Sequence, residues 1–267
     1  MPELPDVETF RAVAQRVAGR TVRRVAVRDR GILAGVSPAT LRHRLEGRRL
    51  GRARRHGKHL LIEAKGVGTL AMHFGMNGAL CLVHHGENDP RFTRLQLEFA
   101  GGDRLDYVNP RRIGRVQLAK SADDFIAAAG LGPDALDRRF DRAAFERLVC
   151  GERRAIKTLL MDQACIAGIG NLYADEILFQ ARIYPAATAG ALDRAQVRRL
   201  FTMLKRVLRI ASARRAGAEG GWARLPKTYL LHEGHKGGSC PRCGGALSSM
   251  RIGGRTTYYC PRCQRKT

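Results

Sequence analysis

The chain has 267 residues, 44% of them hydrophobic, which is ample for real cores and more than one domain of ordinary size usually holds. Lys and Arg number 48 against 24 acidic residues, for a formal net charge of +24 and a pI near 11.0. The excess charge points to a polyanionic partner that gives up counterions on binding; an anionic membrane surface is the competing partner, but no long apolar run, leader segment or lipidation motif resembles a membrane anchor, and nucleic acid is favoured.

The charge is concentrated. Residues 20–58 carry thirteen Lys or Arg against Asp29 and Glu46, and residues 223–267 carry nine against Glu233. Two such imbalances in one chain exceed what a solvated surface ordinarily shows.

In chain order, Val7, Phe10, Ala14 and Val17 recur at helical spacing before Gly19, so residues 6–18 read as an amphipathic helix. Short β-like runs follow at 22–27, 59–64, 68–73, 79–83, 94–99, 103–108 and 114–118, separated by Gly, Asn and Asp. That pattern predicts an antiparallel sandwich or barrel. Beyond about residue 120 the strand pattern stops, and apolar residues at 3–4 spacing predict helices over 121–129, 142–150, 155–165, 172–181 and 193–213. From about 217 the chain turns Gly-rich. The expected division is therefore 1–131, 132–222 and 223–267, an α+β multi-domain chain without internal repeats.

Seven cysteines fall into two groups. Cys81, Cys150 and Cys165 are isolated and read as thiols of a reducing cytoplasm. Cys240-Pro-Arg-Cys243 and Cys260-Pro-Arg-Cys263 are two C-x2-C knuckles, each able to place two sulfurs on one ion. The spacing predicts one structural zinc, with Leu247–Arg251 and Thr256–Tyr259 as a β-hairpin between the knuckles. Two disulfides would suit a secreted chain, and an iron–sulfur cluster is the other alternative. Four cysteines leave no open position for water, so the chemistry must lie elsewhere.

Three stretches, in order, resemble one family. Pro2-Glu3-Leu4-Pro5-Asp6-Val7-Glu8-Thr9 is similar to the N-terminal signature of the formamidopyrimidine-DNA glycosylase / endonuclease VIII family. Gly168 through Glu176 (GIGNLYADE) resembles its helix–two-turn–helix motif, and Gly254 through Cys260 (GRTTYYC) its zinc-finger hairpin. The resemblance implies an N-terminal β-sandwich with a leading helix, a helical domain and a zinc ribbon. It also implies a monomeric cytoplasmic enzyme acting on damaged duplex DNA.

The implied chemistry begins with removal of Met1, leaving Pro2 as a secondary amine. Attack on the sugar C1′ expels the base and forms an iminium, which acidifies C2′ so that the 3′ and then the 5′ phosphate leave. Near pH 7 such an amine has a useful neutral fraction, since α-amino groups titrate at about 7.7–8.0. Glu3 is the implied general acid/base. The plain alternative is that Pro2 and Pro5 start a helix and Glu3 favours its dipole. Lys58 matches a β-hairpin lysine that contacts phosphate, Asn171 the helix–two-turn–helix asparagine, and Arg255 the finger arginine on the same strand. Lys157 resembles a lysine near the damaged nucleotide, with a solvated helix face as its alternative. Met76 matches a wedge that fills the gap left by a flipped nucleotide, against a core role, and Arg111 an arginine facing the orphaned base.

The sequence departs from the family in places. Ile113 stands where the formamidopyrimidine branch usually has the third void-filler, a phenylalanine; Asp6 stands for a frequent Glu. Leu230-Leu231-His232-Glu233-Gly234-His235 replaces a Tyr-Gly-Arg stretch in a short 217–239 segment. These differences leave the lesion open: ring-opened or oxidised purines, oxidised pyrimidines or bulky adducts. A scaffold that binds damaged DNA without catalysis is expected to lack Pro2, Glu3 or Lys58, and all three are present.

Overall fold

The computed structural model describes residues 2–217, 221–232 and 238–266 in full and the backbone of Glu233. These residues divide into two compact units: Pro2 with Val7–Gly130, and Glu3–Asp6 with the chain from Leu131 onward.

In the first unit, helix α1 (Leu4–Gln15) starts earlier and stops sooner than its pattern suggests. Pro5 is harmless in a first turn, where its missing N–H has no partner to lose. At the other end residues 16–19 tighten into turns that finish on Gly19 at φ +86°. Val7, Phe10, Ala14 and Val17 are all buried, so one stripe of the pattern covers the core.

Two four-stranded antiparallel sheets receive that stripe. One runs in the order β1 (Val22–Val27), β6 (Thr93–Phe99), β7 (Arg104–Val108), β5 (Ala79–Val83). The other runs β2 (Leu50–His56), β3 (His59–Ala64), β4 (Gly68–His73), β8 (Arg115–Ala119). Leu60, Ile62, Leu70 and Met72 meet Val25, Leu95, Leu97 and Tyr107 in one buried cluster, which is a sandwich. Strand β2 was not read from the sequence because Arg52, Arg54 and Arg55 mask its alternation; only Leu50 and Ala53 among its apolar residues face the core. Helix α2 (Pro38–Leu45) was also unread, although Ser37 caps it through the Thr40 amide at 3.0 Å and Pro38 opens it. Helix α3 (Ala122–Ala128) sets Phe125 edge-on to His59, centroids 5.1 Å apart.

The second unit holds α4 (Arg142–Val149), α5 (Ile156–Met161), α6 (Asn171–Ala181), α7 (Arg194–Ala213) and a hairpin of β9 (Ser248–Ile252) and β10 (Arg255–Tyr259). Helix α5 ends four residues before its expected limit because Asp162 turns the chain, accepting the Ala164 amide at 3.0 Å. Helix α6 is the centre: Tyr173, Ala174, Ile177, Leu178 and Ala181 are buried against α7's Leu200, Leu204 and Leu208. The ribbon joins the same unit. Arg242 lies 4.4 Å over the Phe179 ring and donates to the Phe179 carbonyl at 3.0 Å, while Gln264 donates to the Ile183 carbonyl at 2.9 Å. Among the described residues no helix is long and apolar enough to cross a membrane.

Two acids sit inside α6, Asp175 and Glu176, both essentially without exposure. Glu176 accepts from Gln180 Nε2 at 2.7 Å and from the Leu231 amide at 3.0 Å, fastening the 3-10 turn Leu230–Glu233 to the helix. Burial pushes its carboxyl up to about 7 from the ordinary 4.5, the hydrogen bonds opposing in part. The folded protein thus holds this proton more tightly than the unfolded chain, so its contribution to stability is full below about 4.5 and is lost as pH rises toward about 7. The slope is at most about 1.4 kcal/mol per pH unit. Glu176→Gln should flatten this dependence: denaturant melts across that window should show the variant gaining on the wild type as pH rises. A constant difference would place Glu176's proton equilibrium elsewhere.

Candidate functional site

Helix α6 follows Gly168-Ile169-Gly170 and has no side-chain cap of its own at Gly170. Its first amides would be orphaned in a buried setting. Glu3 meets them: the Gly170 and Tyr173 amides donate to Oε2 at 2.8 and 3.2 Å, and the Leu172 amide donates to Oε1 at 2.9 Å. The carboxylate also lies at the positive end of the helix. Gly170 has to be glycine, since a Cβ there would fall 2.4 Å from Glu3 Cδ. The backbone here is held too: the Leu4 amide donates to the Gly168 carbonyl at 3.1 Å, and the Glu3 amide to Asp6 Oδ2 at 2.8 Å. Asp6 packs against Gly217, where a Cβ would come within 1.9 Å of Oδ1. Pro2 and Glu3 are both buried.

Lys157 is not on a solvated helix face. It is wholly buried, its Nζ 2.6 Å from Asp175 Oδ1 and donating to Thr257 Oγ1 at 2.7 Å. Asp175 Oδ2 accepts the Tyr258 amide at 3.1 Å, and Asn171 Nδ2 donates to the Thr256 carbonyl at 3.0 Å. The ammonium is thus held inside the protein by Asp175 and Thr257, and α5, α6 and β10 are joined through it. Burial pushes the Asp175 carboxyl up to about 6, and the adjacent ammonium pulls against that shift. Burial likewise lowers the Lys157 ammonium. Asp175 and Thr257 were missed in the sequence; the available signal was a charge pair, Asp175-Glu176, interrupting the apolar run of α6.

The hairpin turn Gly253-Gly254, with φ +56° and +73°, is the tight two-residue form that takes positive φ at both centres and so favours glycine. Arg255 follows it at the start of β10 and is exposed to solvent.

In the first unit, Lys58 follows Gly57 (φ +55°) in the two-residue turn between β2 and β3, and it is 7% exposed. Met76 stands on the turn after β4, 36% exposed, so it is not a core residue. Arg111 and Ile113 occupy the turn after β7, with Ile113 44% exposed. Between them Arg112 takes a left-handed φ of +57° and its Nε reaches Asp29 Oδ2 at 2.8 Å, turning that arginine away from its neighbours.

The sulfurs of Cys240, Cys243, Cys260 and Cys263 all lie within 4.8 Å of one another. Cys240 and Cys263 are 3.9 Å apart and Cys243 and Cys260 3.6 Å. A tetrahedral ion with bonds of about 2.3 Å separates its sulfurs by about 3.8 Å, whereas a disulfide needs about 2.05 Å. The four residues fit one metal ion, and all are free cysteines.

A sandwich, a helix–two-turn–helix unit and a four-cysteine ribbon define a DNA glycosylase architecture. The family model of the formamidopyrimidine-DNA glycosylase N-terminal domain matches residues 1–116, that of its H2TH domain 131–219, and the zinc finger found in FPG and IleRS 237–265. The formamidopyrimidine-DNA glycosylase of Methylococcus capsulatus is 39% identical, covering 99% of this chain and all of the relative; that of Pseudomonas aeruginosa is 37% identical at the same coverage. Among solved structures, Lactococcus lactis FPG (MutM) with Fapy-dG containing DNA aligns with a TM-score of 0.87 at 27% identity, covering 99% of this chain and all of the other. MutM with carbocyclic 8-oxo-G containing DNA gives the same values. The chain belongs to the formamidopyrimidine-DNA glycosylase family, the DNA glycosylases of DNA repair.

The Lys157 brace is testable apart from catalysis. Lys157→Met strands the buried Asp175 charge and should cost about 3–5 kcal/mol in denaturant melts. Adding Asp175→Asn should recover much of that loss. If Lys157→Met is nearly neutral while phosphate affinity falls, the lysine serves DNA rather than the fold.

Proposed function

We propose that the protein is a bifunctional base-excision enzyme, a glycosylase and abasic-site lyase whose nucleophile is Pro2. The observation that carries this is Glu3: its carboxylate is oriented by three backbone N–H groups in the residue next to the proline amine. A group so fixed spends no freedom in reaching the transition state. In this reading Pro2 attacks C1′, Glu3 moves the proton that opens the sugar, and the iminium permits successive loss of the 3′ and 5′ phosphates.

Lys58, Asn171 and Arg255 supply the phosphate contacts, Met76 with Arg111 and Ile113 occupies the gap left by the flipped nucleotide, and Lys157 keeps Arg255's hairpin in place. Damaged duplex DNA is the partner, consistent with the +24 charge. The relatives' names and the Fapy-dG ligand of a neighbouring structure make ring-opened purines the first substrate to test. The four cysteines hold one zinc, which closes the ribbon and takes no part in the reaction.

Borohydride should trap a protein–DNA adduct at the N-terminal residue, and retaining Met1 should abolish it. An adduct formed as readily on a lysine of the Met1-retaining protein rejects Pro2. Glu3→Gln should lose base excision while keeping much of its cutting at pre-formed abasic sites, which already offer an aldehyde. Equal loss of both, with DNA binding and folding intact, removes the role given to Glu3.

Elemental analysis should find one zinc per chain, and its removal should unfold the ribbon and weaken DNA binding. Iron in its place, or a fully active metal-free protein, contradicts the assignment.

A further inference from the structure

Among the described residues only three large hydrophobic side chains are exposed: Met76, Phe92 and Ile113. All three stand on turns of the first unit, and one residue touches all three turns. Asn109, which is 1% exposed, has every hydrogen-bonding group engaged. Its Nδ2 donates to the Phe74 carbonyl at 3.0 Å, at the root of the Met76 turn, and to Tyr107 Oη at 3.1 Å. Its Oδ1 accepts the Gly114 amide at 3.4 Å, at the end of the Arg111–Ile113 turn. Its own amide donates to the Phe92 carbonyl at 3.0 Å, and its carbonyl accepts Arg94 Nε at 3.1 Å.

The amide orientation follows from its partners, since a carbonyl only accepts and an amide N–H only donates. Asparagine is thus required at this point: aspartate cannot donate to Phe74, and leucine can do neither. Tyr107 completes the tie by donating its hydroxyl to the His73 carbonyl at 2.7 Å. The Gly75 amide in turn donates to His73 Nδ1 at 3.3 Å, an acceptor kept neutral by burial and the nearby Lys58 charge.

No side chain fits between the two turns. A Cβ on Gly75 would meet the Gly114 nitrogen at 2.8 Å, and a Cβ on Gly114 would meet Tyr107 Oη at 1.8 Å. Backbone therefore rests on backbone, with Asn109 as the link, while the Arg112–Asp29 pair holds the far side of the second turn.

We propose that Asn109 is a positioning residue that clamps the Met76 turn to the Arg111–Ile113 turn, so that the two enter a duplex as one rigid plug. The proposal rests on reading Met76, Arg111 and Ile113 as void-fillers. Filling a stack from two sides requires both tips at fixed separation, and freely moving tips would lose that ordering on every encounter.

Hydrogen exchange tests the clamp independently of catalysis. Asn109→Asp keeps the acceptor for Gly114 and removes the donor to Phe74. Exchange at Gly75 and Gly78 should rise on the order of tenfold, with Gly114 changed less than about twofold. Asn109→Ala should release both turns together. The Phe92 segment, tied only to the main chain of Asn109, should be unaffected in either variant. Unchanged exchange at Gly75, Gly78 and Gly114, or a rise spread across both sheets, overturns the clamp; if the alanine variant does not fold, the near-isosteric aspartate variant carries the measurement.

Activity tests its purpose. In Asn109→Asp, excision from duplex should fall on the order of tenfold, and cutting of an abasic site in a single strand should stay within about twofold, because only duplex has a stack to fill. Met76→Ala should also cost less in this variant than in the wild type, the mark of a coupled pair. Equal losses on duplex and single strand overturn the plugging role. If Met76→Ala alone loses both substrates equally, the void-filling reading fails, and the exchange result still decides whether the clamp exists.

Discussion

Glu3 is bound by the first amides of a buried helix, and that helix forms the centre of the second unit's core. A helix start without a cap leaves several N–H groups unpaired, at a cost of about 1–3 kcal/mol for each one buried. Here the cap comes from a residue some 170 positions away in sequence. The same three bonds that satisfy α6 also fix the carboxylate of the residue that follows Pro2 in sequence. The glycine at position 170 follows from the closeness of that approach, and Asp6 secures the Glu3 amide from the other side.

Around this contact the second unit buries charge to an unusual degree. Lys157 and Asp175 form a fully buried pair whose remaining hydrogen bonds go to Thr257 and the Tyr258 amide. Such pairs add little net stability over apolar packing, because desolvation offsets the attraction. What this one does is join elements: the Lys157–Asp175 pair ties α5 and α6 to β10 through Thr257 and the Tyr258 amide. Arg255 opens the strand so tied. Glu176 serves similarly for the Leu230–Glu233 turn.

The first unit solves a different problem. Its sheets must carry dense positive charge and still pack, and β2 does so by directing Leu50 and Ala53 inward while Arg52 and Arg54 remain exposed. At one end of the sandwich its turns project apolar residues that ordinary packing would bury. Glycines at 75 and 114 let those turns touch through their backbones, and Asn109 fills the remaining polar demand.

The sequence by itself determined a good deal. The alternation of short apolar runs, the 3–4 spacing beyond residue 120 and the paired knuckles are local patterns, and local periodicity reports which face of an element is apolar. The two layers and the four-cysteine cluster were therefore legible, and Met76 stands exposed as its Gly-flanked turn suggests, whereas Pro2, Glu3, Asn171 and Arg255 were singled out by the family resemblance and not by periodicity. Strand β2 was not, because its arginines hide a pattern that only pairing with β3 reveals. Nor could spacing tell whether Lys157 faces water or Asp175, since both are compatible with one turn of helix. That choice, like the cap from Glu3 to α6 and the tie from Asn109 to Phe74 and Gly114, was decided by tertiary structure. Each joins polar groups distant along the chain, and the cost of leaving such groups buried and unpaired exists only once the chain has folded around them.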